Sequence, residues 1–237
     1  MFLFLGETHV RVRSGKHDKS TAFSHLYDMK NLFDTEAIPK RPIMLLSTDG
    51  AQDEAPRFPK SLRAAVFLFR YLGLDVYIHA TNAAGLSAFN PCERRMAPLT
   101  HALVGLILEA FVFGTHLDGS GNTIDTELEE KNFHAAAEIL SEVWSKTFIN
   151  GFKVDCKAVG QECHYEPEDE PDQLWVSQHV IQTRYLVMVV KCQIESCCKP
   201  FVTNWMDIFP TRFLPGNDKP FFVSNYRKSC IVCNLVK

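Results

Sequence analysis

Two carboxylates in this chain stand where they could do chemistry. Asp49 closes an apolar run, PIMLLST (42–48), and Glu93 lies in SAFNPCERRMAPLT (87–100), after an Asn-Pro and before two arginines. Carboxylates delivered to one sheet edge can hold Mg²⁺ or Mn²⁺, and two such ions can activate a water and stabilise the leaving oxygen of a phosphodiester. Each also has a plain structural use. Asp49-Gly50 is a turn dipeptide, while Asn90 can cap a helix, Pro91 suits its first position and Glu93 can reach back to the cap. Arg94 and Arg95, next along, can neutralise phosphates or simply be solvated helix charges.

The cysteines offer a second chemistry. Cys192, Cys197 and Cys198 form C-x4-C-C, and Cys230 with Cys233 forms C-x2-C, a spacing that lets two thiolates grip one tetrahedral Zn²⁺. The choice between Cys197 and Cys198 stays open, and buried free thiols are the alternative use. The chain has eight cysteines, and MFLFLG lacks the basic lead of a secretory signal, so the thiols are expected to be reduced and intracellular. No apolar run approaches the ~20 residues of a membrane helix, so no membrane partner is expected.

These groups need elements to position them. A strand over 42–48, a helix with Leu62, Ala65, Val66 and Phe69 on one face and Gly73 as its stop, and a strand over 74–81 predict a parallel βαβ unit. Asp49 then stands at the C-terminal strand edge, where α/β sheets gather functional groups. A helix opening at Pro91 is expected to break or kink near Pro98 and continue as an apolar segment through Leu108. Further helices are expected around 20–33 and over 125–146, the latter turning Leu128, Ala136, Ile139, Leu140, Val143 and Trp144 inward. YLVMVVK (185–191) reads as a strand. So does Phe2–Leu5, at the very start, which suggests an N-terminally truncated fold.

Composition and charge narrow the class. At 46% hydrophobic and 22% charged the chain is an ordinary globular one, and a net charge of −3 excludes a uniformly basic nucleic-acid coat. The charge is uneven. Six acids and no Lys or Arg lie between Glu162 and Asp172, whereas 174–237 carries eight Lys/Arg against three Asp/Glu. The expected division is an α/β core over 1–150, an acidic linker over 151–173 and a basic cysteine-rich module over 174–237.

The string IMLLSTDG, then a helix, a strand and a helix opening with NPCERR, resembles the catalytic core of DDE transposases of the mariner and bacterial insertion-sequence type. TDGAQDEAPR, SAFNPCERRMAPLT, FGTHLD and KNFHAAAEILSEVW resemble transposon-derived proteins of animal genomes, a likeness that covers most of the chain. This resemblance implies a partial ribonuclease-H-like core with a small cysteine-rich C-terminal module. Asp49 and Glu93 would be its second and third catalytic acids, sharing Mg²⁺ or Mn²⁺, with Asp53 competing for the place of Asp49 and Arg94 and Arg95 meeting DNA. The first strand of such a core carries the first acid, yet no Asp lies in or beside Phe2–Leu5, and Asp18 and Asp28 are poor substitutes. The resemblance therefore implies a nuclear, nucleic-acid-binding protein with a degenerate metal site and no catalysis. Its alternatives are an active metal-dependent transposase or nuclease using Asp49 and Glu93, and a zinc-stabilised protein-interaction module with no DNA role.

Overall fold

The computed structural model describes residues 6–83, 85, 91–160, 166–167, 170–208 and 211–214, with the backbone alone at 91–94. The strand expected at Phe2–Leu5 lies outside the described residues. The chain is mixed α/β and divides into two compact units, each discontinuous in sequence: 1–20 with 91–163 and 234–237, and 21–90 with 164–233.

In the first unit the sheet order is β1 (Thr8–Val12), β5 (Phe152–Ala158), β4 (Phe148–Ile149). Strands β1 and β5 are parallel, with Val10 opposite Cys156, and β4 and β5 form an antiparallel hairpin. The hairpin turns on Asn150 (φ 53) and Gly151 (φ 85), the Asn-Gly pair that tolerates two left-handed residues in succession. Helix α3 (Pro91–His101) runs through Pro98 instead of breaking there. The proline removes one ladder bond, but the next turn is anchored: Leu99 is buried and its carbonyl accepts the Trp144 indole N–H at 3.0 Å. Beyond His101 the chain turns repeatedly, leaving Val104 and Ile107 more than four-fifths exposed.

Helix α4 (Thr126–Ser145) starts where Asp125 accepts the Leu128 N–H at 3.0 Å. Its buried face is rotated from the one expected. Glu129, Asn132, Ala137, Ser141 and Trp144 are buried, whereas Leu128, Ala136, Ile139, Leu140 and Val143 are only half-buried. The reason is a polar network at the helix start. The Glu129 carboxylate accepts from Lys16 Nζ at 2.7 Å and Thr123 Oγ1 at 2.8 Å, with His17 Nε2 3.0 Å away, and Asn132 donates to the Gly114 carbonyl at 3.0 Å. Two loops are thereby tied to one helix, and the pairing offsets part of the cost of burying these polar groups.

The second unit is built on the sheet β2 (Ile43–Thr48), β3 (Val76–Thr81), β7 (Leu186–Val190), β6 (Val180–Gln182). Strands β2 and β3 pair in parallel across the helix α2 (Pro59–Leu72), as expected for the βαβ unit, and Gly73 ends that helix in the left-handed region at φ 64. Strand β7, in the segment 174–237, is a full member of this sheet, antiparallel to both β3 and β6. Both central strands are buried along their length, which explains their continuous apolar runs. Tyr77, Val187 and Val189 face the helices α1 (Ala22–Asp34) and α2 with Leu26, Met29, Leu68 and Phe69, while Ile78, Ala80, Met188 and Val190 pack on Trp205 of the short helix α6 (Trp205–Ile208). Among the described residues no helix is long and apolar enough to cross a membrane.

Candidate metal centre

The β6–β7 hairpin gathers the sulfur ligands. Val180 opposes Val189, so the end of helix α5 (Gln173–His179) arrives beside the exit of β7, bringing His179 to Cys192. The chain then turns back on itself, with the Cys197 and Cys198 N–H groups both donating to the Ile194 carbonyl at 2.9 Å. His179 Nε2, Cys192 Sγ, Cys197 Sγ and Cys198 Sγ all lie within 4.8 Å of one another, a group that could hold a metal ion. Nε2 is 3.5 Å from the Cys197 sulfur and 3.4 Å from that of Cys198. A tetrahedral Zn²⁺ with ordinary Zn–S and Zn–N bonds sets these atoms about 3.5 Å apart, so the donors fit that ion with little movement.

The histidine is prepared for this role. Its Nδ1 lies 2.8 Å from the Trp175 carbonyl, which can only accept, so the proton belongs on Nδ1 and the lone pair on Nε2. Burial lowers the His179 pKa, favouring the neutral form that ligation needs. The indole of Trp175 stacks flat on the imidazole, centroids 4.2 Å apart, and holds the ring plane. Burial pushes the Cys198 thiol up to about 11, so a divalent ion is what would draw the proton off it. Arg212, which donates to the Val190 carbonyl at 3.1 Å and to the Gln178 carbonyl, lies close enough to feel all three sulfurs. Three thiolates around a divalent ion would leave one net negative charge, which this guanidinium would balance.

Beneath the centre a buried ion pair fixes the flanking chain. Lys191, next to Cys192, donates from Nζ to Asp75 Oδ1 at 2.7 Å, and Asp75 Oδ2 accepts from Val202 N at 2.9 Å and from Thr203 N and Oγ1 at 2.8 Å. Burial pushes the Asp75 carboxyl up, but the Lys191 ammonium and the Thr203 donors outweigh it and hold the pKa below its ordinary value. The carboxylate is wholly enclosed, and the segment after the cysteines is pinned to the start of β3.

The other residues singled out in the sequence are distributed differently. Cys230 and Cys233 lie outside the described residues, as do the side chains of Glu93 and Arg94. Asp49 belongs to the second unit and Glu93 to the first. Asp49 is exposed at the end of β2, and its Oδ1 accepts the Ala51 N–H at 2.9 Å, the turn role of an Asp-Gly pair. Gly50, at φ 82, is required there, since a Cβ would meet the Thr81 side chain at 3.3 Å. Asp53 Oδ2 is 3.4 Å and Glu54 Oε1 3.5 Å from His25 Nε2. Burial raises the Glu54 carboxyl to about 7; His25 opposes this, and the charges of Asp49 and Asp53 add to it. These acids do not bring three donor atoms together as the cysteines do; among the described residues the His179 group is the one that does. Arg95 is half-buried and donates to Thr8 Oγ1 at 2.8 Å and to the Gly6 carbonyl.

His179 is the member of this group that sequence reasoning missed. Its signal was H-x12-C-x4-C-C, with a tryptophan one helical turn before the histidine. No family model matches the chain, and no curated protein or solved structure matches it either.

Proposed function

We propose that this chain is a zinc-stabilised nucleic-acid-binding protein of transposon origin that does not cut DNA. The carrying observation is the convergence of His179, Cys192, Cys197 and Cys198 within 4.8 Å. Four protein ligands close a tetrahedron and leave no position for a substrate or a water, so zinc here would stabilise the fold and not act on a substrate. When bound, the ion would cross-link the β6–β7 hairpin to the 194–198 turn. Nucleic acid as the partner rests on the resemblance of IMLLSTDG and NPCERR to transposase cores. The absence of cleavage rests on the same resemblance, whose first catalytic acid has no counterpart in this sequence, and the Asp49 Oδ1 is taken up by the turn that follows β2.

The test is to mix the zinc-loaded chain with labelled oligonucleotides and plasmid. Salt-sensitive binding without nicking in Mg²⁺ or Mn²⁺ is the expected result, since phosphate contacts release counterions. Nicking lost on Asp49→Asn or Glu93→Gln would establish the active-transposase alternative instead. A zinc-bound, folded chain that binds no nucleic acid under any condition would leave the protein-interaction module.

A further inference from the structure

The four donors of the metal centre are unequally shielded. His179 and Cys192 are buried and Cys198 is half-buried, but Cys197 is exposed. A ligated thiol is deprotonated outright, and the thiolate is the form that hydroperoxides oxidise. Ligation therefore presents one nucleophilic sulfur, that of Cys197, to solvent.

The sulfurs also stand where one of them, once oxidised, meets a second. All three lie within 4.8 Å of one another. Cys198 is a poor partner for Cys197, because adjacent Cα atoms are about 3.8 Å apart and an unstrained disulfide spans about 4.4–6.8 Å. The Cys197 and Cys198 N–H groups both donate to the Ile194 carbonyl, so bridging these two neighbours would also distort the turn that holds them. Cys192 precedes that turn and carries neither restriction.

We propose that Cys197 and Cys192 are a redox pair that a hydroperoxide closes to a disulfide, releasing the metal. This is a regulation of the metal centre and rests on the zinc reading above. The Cys197 thiolate attacks a peroxide oxygen: an S–O bond forms, the O–O bond breaks, and the departing alkoxide or hydroxide takes a proton. The Cys192 thiolate then attacks the sulfenic sulfur of Cys197: the S–S bond forms, the S–O bond breaks, and hydroxide takes a second proton and leaves as water. Two thiolates together lose two electrons and the peroxide gains two. His179 and Cys198 remain, half of a tetrahedral donor set, and they no longer retain the ion. The end of α5 is then untied from the 194–198 turn, and a thiol reductant restores it by exchange.

The test is to titrate the full zinc-loaded chain with hydrogen peroxide, following released metal with a zinc indicator and disulfides by mass spectrometry of tryptic peptides. The expected result is loss of the bound zinc in step with a Cys192–Cys197 disulfide, a change in Trp175 fluorescence as His179 is freed, and rebinding of zinc after dithiothreitol. Cys197→His keeps four donors without the exposed sulfur, so its zinc should be released about tenfold more slowly or less readily still. Cys198→His keeps the proposed pair and should release zinc at the wild-type rate with the same disulfide, which tests the pair even where Cys197→His fails to load. Zinc retained through excess peroxide, or lost with a disulfide elsewhere or with only sulfinic or sulfonic acid at Cys197, overturns this proposal and leaves the zinc reading standing. A folded chain that takes up no zinc at the outset overturns both.

Discussion

Withdrawing zinc with a chelator, or replacing Cys192 with serine, is expected to loosen residues 173–208 and to lower Tm by about 10 °C or more, while α1 and α2 keep their helical signal. The ligand set is absent from an unfolded chain, so whatever free energy the metal contributes is folding free energy. The effect should be local. Helices α1 and α2 pack on one another through Leu26, Met29, Leu68 and Phe69, in a cluster that contains none of the four donors, whereas the 194–198 turn has two N–H bonds to the Ile194 carbonyl. Trp175 stacks on His179, so its fluorescence should change as the imidazole is released. Limited proteolysis with and without chelator checks the claim. Identical cleavage patterns would mean that the three sulfurs are ordinary packed thiols.

Asp75→Ala is expected to destabilise the second unit by about 3–5 kcal/mol, because it leaves the Lys191 ammonium buried without its partner. Lys191 is only 7% exposed, so water has little access to its ammonium in place of the carboxylate. The substitution also removes the acceptor of the Val202 and Thr203 N–H groups. Adding Lys191→Met to Asp75→Ala should recover much of the loss, since no charge is then stranded and the methionine can fill the space. Denaturant unfolding of the single and double variants measures this. A double variant as unstable as the two single losses added together would show that the pair carries no coupling.

The βαβ unit was legible in the sequence because each of its signals is local: an apolar run, a helical stripe, Gly73 as a stop, another apolar run. Strand β7 was legible for the same reason, but its place in the sheet was not. Pairing between residues as distant as Val76 and Val190 is decided by which buried strand edges are available, which no local pattern records. The short strands β4 and β6 escaped because two or three residues cannot show a period, whereas the apolar-polar alternation of FKVDCKA in β5 and the hairpin signal Asn150-Gly151 before it could have been read. Helix α4 was placed well and its face was not, since a rule that buries only apolar residues cannot foresee a buried Glu129 beside Lys16, His17, His116 and Thr123. In the metal centre the thiols were visible by spacing. His179 was not, because what recruits it is the Val180–Val189 register of a hairpin.

X-ray absorption at the zinc edge of the purified chain tests the central claim most directly. The account predicts one zinc per chain with three sulfur neighbours at about 2.3 Å and one nitrogen at about 2.0–2.1 Å, the nitrogen shell vanishing in His179→Ala. Zinc bound through nitrogen and oxygen alone, or a well-folded chain that carries no zinc when purified with the metal present, would contradict it.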